Sequence, residues 1–121
     1  MTNITVEGYG VVEGREGERL VLALERGGVD ILHRCGGVAR CTTCRVSFTE
    51  GEPEIMTVAE RDKLAEKDLL GTARLSCQIE CHGDMNLTPL QTARSSGLEP
   101  GKAPTESIQP EAQWIPRETR A

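Results

Sequence analysis

Residues 35–44 read CGGVARCTTC, and a further cysteine, Cys77, stands in the stretch RLSCQIE, with thirty-two residues between it and Cys44. No other feature constrains the chain as strongly. Three thiols crowded into a glycine-containing loop can be an oxidised staple, a zinc knuckle, the cradle of an iron–sulfur cluster, or idle. Each choice asks for a different structure around the loop.

The spacing separates these readings. Five residues lie between Cys35 and Cys41, two between Cys41 and Cys44, and three between Cys77 and the last cysteine, Cys81. A disulfide framework fits poorly, because five cysteines are an odd number. The first residues, MTNITVEGYGVVEG, also alternate like a strand and lack the charged start and apolar run of a signal peptide. The expected compartment is therefore a reducing cytoplasm, where structural disulfides are rare and clustered cysteines bind metal or do redox chemistry.

Zinc is the serious rival, since it takes four ligands, commonly as two close pairs. Cys41 with Cys44 and Cys77 with Cys81 would supply them in a zinc-binding interaction module. That assignment leaves out Cys35, although it shares the loop. It also needs Cys81, which falls at or past the end of a strand expected from Arg74 to Glu80.

A [2Fe–2S] cluster needs four thiolates, and a short loop with one distant strand can supply them. Gly36 and Gly37 let the backbone turn at positive φ and lie close to sulfur. Thr42 and Thr43 are small, and their hydroxyls can donate to sulfur or close the turn. Arg40, with Arg34 and Arg45, frames the loop with positive charge that favours an added electron.

The rest of the chain reads as α+β. Two short strands in NITVEGYGVV precede a helix around Leu20, Val21 and Leu24, which Gly27 and Gly28 end. After the cysteine loop come a strand (Val46, Phe48), a helix from Val58 to about Asp68, and two more strands. Thr57 and Glu60 have the spacing of a capping box at the start of that second helix. With only Tyr9, Phe48 and Trp114 as aromatics, the core falls to Ile4, Val6, Val21, Leu24, Val46, Phe48, Leu64, Leu75 and Leu87. Residues 1–93 form the expected domain. Residues 94–121 hold four of the six prolines and little periodicity, which predicts a flexible, disordered tail.

The run HRCGGVARCTTCRVSF, followed by RLSCQIE, resembles the [2Fe–2S] ferredoxin family with the β-grasp fold, over about residues 3 to 90. Its five-residue first spacing is similar to that of the adrenodoxin- and putidaredoxin-like ferredoxins, in a shorter bacterial variant. The resemblance implies that Cys35, Cys41, Cys44 and Cys77 ligate a [2Fe–2S] cluster and that the chain transfers single electrons rather than catalysing a reaction. It implies a ferredoxin reductase on one side and an acceptor oxidoreductase, such as an oxygenase or cytochrome P450, on the other. An iron–sulfur redox sensor is a further alternative. Cys81 is then a spare thiol, and His33 is expected to face solvent.

Charge agrees with a protein partner. Nineteen acidic against fourteen basic residues leave a net charge of −5, which disfavours nucleic acid and anionic membranes and suits a basic docking surface. A monomer in the cytoplasm is the expected state.

Overall fold

The computed structural model of the chain describes residues 2–33, 36, 42–93, 97, 101 and 104–117. Alternation drives the first hairpin. In β1 (Thr2–Val6) every second residue is buried, and β2 (Gly10–Gly14) returns antiparallel with Ile4 opposite Val12. The turn between them uses Gly8 and Gly10 at positive φ. β3 (Arg45–Glu50), β5 (Arg74–Leu75) and β6 (Met85–Pro89) complete a five-stranded sheet in the order β2-β1-β6-β3-β5. β6 runs parallel to β1 and antiparallel to β3, so the sheet is mixed.

The helix α1 (Leu20–Arg26) lies on this sheet and buries Leu20, Val21, Ala23 and Leu24 completely. Burying a Leu or Val side chain stabilises by about 1.5–3 kcal/mol, so these contacts, rather than the intrinsic stability of a short helix, hold α1 in place. Gly27 permits the approach, since a Cβ there would stand 2.5 Å from a Val12 methyl. The second helix, α2 (Val58–Glu66), begins where expected. Thr57 Oγ1 accepts from the Glu60 N–H at 3.0 Å, and Leu64 is buried in the core. This is the expected α+β arrangement, a β-grasp sheet closed around a helix. Of the expected core, Phe48 is only partly buried.

Two expectations are corrected. The strand expected from Arg74 to Glu80 leaves the sheet after Leu75 and winds into a 3₁₀ turn, Ser76–Gln78. Ser76 causes the departure: its N–H and its Oγ both donate to the Cys44 carbonyl, at 3.2 and 2.7 Å.

The expected flexible tail is, over residues 104–117, a strap packed on the domain. β7 (Trp114–Pro116) pairs antiparallel with β4 (Ile55–Thr57), and Ile108 is buried. Backbone bonds flank the pair, from Val58 N–H to the Gln113 carbonyl at 3.0 Å and from Arg117 N–H to the Glu54 carbonyl at 2.7 Å. Main-chain pairing of this kind leaves no periodic signal in a proline-rich sequence. The other positions of 94–121, apart from 97 and 101, lie outside the described residues.

Candidate metal centre

Cys44 and Cys77 meet because β3 and β5 are neighbours. Arg45 pairs with Leu75 in the antiparallel ladder, which sets the residue before β3 beside the turn after β5. Both cysteines are buried. The Cys77 N–H lies 3.5 Å from Cys44 Sγ, and the Gln78 side-chain amide lies 3.7 Å from Cys77 Sγ. Donors thus already point at both sulfurs, and hydrogen bonds to sulfur are one of the controls on an iron–sulfur potential.

Of the loop residues singled out from sequence, Gly36 is buried at a φ of +79°, and its N–H donates to the His33 carbonyl at 2.8 Å. Thr42 is buried at a φ of +58°, a conformation that strains a β-branched residue and that tends to occur where function requires it. Thr43 is half-buried beside it. Cys35, Gly37, Arg40 and Cys41 lie outside the described residues, as does Arg34.

The chemistry of the thiol pair fits a cationic iron centre. The Cys44 thiol is pushed well above its ordinary pKa, first by its hydrogen bond with the Cys77 thiol and next by burial. Left to itself the Cys44 thiol stays protonated. Metal binding replaces that proton and supplies the positive charge that makes buried thiolates tolerable.

Cys81 belongs to another part of the fold. It is fully buried, and a Cβ on Gly14 would stand 2.9 Å from its sulfur. Gly14 ends β2, the edge strand opposite β5. Burial, with Glu18 adding to it, lifts the Cys81 thiol to about 12, which makes it a poor nucleophile.

His33 does not face solvent. It is 3% exposed, and its ring Nε2 is engaged by the Glu25 carboxylate. An acid eight residues away on α1 gives no local signal for that pairing.

Sequence reasoning missed three residues around the site. Gln78 stands in RLSCQIE with nothing local to mark its role. Arg19 is buried with its guanidinium on the Cys77 carbonyl; the one hint is an arginine at the position before a helix where a capping residue is usual. Arg74, next to Leu75, is paired with the buried Glu60, a residue that the sequence places on a charged helix face.

Comparison with known proteins agrees with this geometry. Residues 4–82 match the model of the 2Fe-2S iron-sulfur cluster binding domain. The 2Fe-2S ferredoxin-5 of Aquifex aeolicus is 36% identical over 74 residues, which cover 59% of this chain and 77% of that protein. A component of the Na(+)-translocating NADH-quinone reductase of Pseudoalteromonas atlantica is 32% identical over 76 residues. That match covers 63% of this chain but only 18% of the reductase component. Among solved structures, the ferredoxin from Rhodopseudomonas palustris HaA2 is similar with a TM-score of 0.53 and 25% identity, over 75% of this chain and 97% of that one. The chain therefore belongs to the 2Fe-2S iron-sulfur cluster binding domain family, and its cofactor is a [2Fe–2S] cluster.

Proposed function

We propose that Cys35, Cys41, Cys44 and Cys77 hold the [2Fe–2S] cluster and that the chain carries single electrons from a reductase to an acceptor oxidoreductase, an oxygenase or cytochrome P450 being the class expected. The observation that carries this reading is the Cys44–Cys77 pair: two buried thiols 33 residues apart in sequence, with the Cys77 N–H 3.5 Å from the Cys44 sulfur. The bound cluster supplies a one-electron donor and acceptor; the chain's residues hold it, exclude water and aim N–H donors at sulfur. That role needs no general acid or base, so the chain is a carrier rather than a catalyst.

A reductase as partner is supported by the NADH-quinone reductase component in which a similar stretch forms a small part of a longer chain. The net charge of −5 suits a basic docking face on such a partner. Among the described residues no helix is long and apolar enough to cross a membrane. The cluster domain is assigned to residues 1–93, with the strap following it, and the working unit to a monomer in the cytoplasm.

The zinc reading requires Cys81, whose sulfur lies against Gly14 on the far edge of the sheet. Substitution separates the two. Cys35→Ser should abolish the visible absorption of the purified protein and its bleaching by dithionite, while Cys81→Ser should leave both in place. A colourless protein holding one zinc and no sulfide would overturn the electron-carrier reading.

A further inference from the structure

Arg19 precedes α1, where Ser, Thr, Asp or Asn commonly caps a helix, and its side chain makes no cap bond. It points inward and is 1% exposed. Nε and Nη2 donate to the Cys77 carbonyl at 3.1 and 2.7 Å. Nη1 donates to the carbonyls of Thr105 and Ser107, at 2.7 and 3.1 Å.

Gln78 repeats the pattern. Its side-chain amide lies 3.7 Å from Cys77 Sγ and donates to the Gln109 carbonyl at 2.8 Å. Its carbonyl oxygen accepts from Thr57 Oγ1 at 2.7 Å, which fixes which way the amide faces. Both side chains thus bridge Cys77 and the strap, and the buried Ile108 lies in the strap between the carbonyls they reach.

We propose that the strap of residues 104–117 sets the reduction potential of the cluster by holding Arg19 and Gln78 against Cys77. The inference rests on Cys77 being a ligand. Reduction adds one negative charge to the centre. A fixed cation and an N–H···S donor both favour that charge, and hydrogen bonding to sulfur and net charge are recognised controls on such potentials. With the strap docked, electron affinity is raised; with it lifted, Arg19 and Gln78 lose the carbonyls that orient them and the affinity falls. Linkage makes the effect reciprocal, so reduction tightens strap docking by the same factor.

The test uses the full-length, cluster-loaded chain. Arg19→Gln, Gln78→Leu and the neutral strap variant Ile108→Asn are titrated for midpoint potential. Amide exchange at Val58 and Arg117, whose N–H groups bond between the strap and the segment around β4 at 3.0 and 2.7 Å, reports strap docking. Each variant should bind the electron about three- to tenfold more weakly, tenfold being 59 mV for a one-electron couple. Arg19→Gln combined with Ile108→Asn should fall short of the sum of the two, because they act through one contact.

If Arg19→Gln does not fold, Arg19→Lys keeps the charge but cannot fork across Cys77 and the strap, and a smaller downward shift is expected. Fully loaded variants with the wild-type potential, in an Ile108→Asn chain whose Val58 and Arg117 amides have lost their exchange protection, overturn the proposal. Cys77→Ser keeps the two readings apart. If that variant retains the native cluster spectrum, the ligand assignment fails. If it loses the cluster while the strap variants leave the potential unmoved, the inference alone fails.

Discussion

Glu60 is fully buried on α2 and takes a forked contact from Arg74, Nε to Oε2 at 2.8 Å and Nη2 to Oε1 at 3.1 Å. The Leu75 N–H donates to the same carboxylate at 2.8 Å. Burial pushes the Glu60 carboxyl up, and Arg74 pulls against that shift. The remaining Arg74 donors reach the carbonyls of Pro53 and Ile55 and the Glu52 carboxylate, so the pair ties α2, β5 and the segment before β4 together. Removing one member strands the other as a buried charge, which typically costs about 3–5 kcal/mol. Arg74→Met should therefore lower stability by roughly that amount in urea unfolding, whereas Arg74→Met with Glu60→Leu should recover most of it. Equal losses in the single and double variants would mean that the contact acts through packing instead of charge.

At the scale of elements, the connection after β3 turns on one backbone conformation. Gly51 has a φ of +75°, and a Cβ there would stand 2.3 Å from the Asp84 carbonyl oxygen. Gly8, between β1 and β2, has a φ of +86° with open space around it. Gly8→Ala should cost about 1–2 kcal/mol for the left-handed conformation alone. Gly51→Ala should cost roughly 1–3 kcal/mol more for the clash, and matching losses in thermal or urea midpoints would contradict it. The helices were legible beforehand because their signals are local: Leu20, Val21 and Leu24 share a face, and Thr57 stands at a cap. The capping box was only half right, since Glu60 turns to Arg74 instead of back to Thr57. The 3₁₀ turn at Ser76–Gln78 was hidden because Leu75, Cys77 and Ile79 alternate as a strand would. The bond that bends the chain comes from Cys44, far away in sequence. The strap escaped for a related reason: β4 and β7 are three residues each, too short for a period, and carbonyls of 105, 107 and 109 receive its polar contacts, whatever their side chains.

For the whole molecule, the question is how far the fold depends on its metal. Cys44 and Cys77 belong to the same apolar cluster as Ile4, Leu24, Leu64, Leu75 and Leu87. With the Cys44 thiol kept neutral by its bond to Cys77 and by burial, this cluster carries no bare charge from Cys44 when iron is absent. The apo chain should therefore keep its sheet and helices and lose stability without unfolding. A ligand bound only by the folded state stabilises in proportion to the logarithm of its saturation, about 2.7 kcal/mol at a hundredfold excess over Kd. For a domain of this size each kcal/mol moves the melting temperature by about 4–8 °C. Removing iron and sulfide should thus lower the melting temperature by about 10 °C or more, while the far-ultraviolet circular dichroism at low temperature changes little. Amide exchange adds the location. The N–H groups pairing β1, β6 and β3 should stay protected, and those of Gly36 and Cys77, beside the proposed ligands, should exchange faster. An apo chain with the melting temperature of the loaded one would mean that the cluster sits outside the cooperative unit, which the burial of Cys44 and Cys77 within the core argues against.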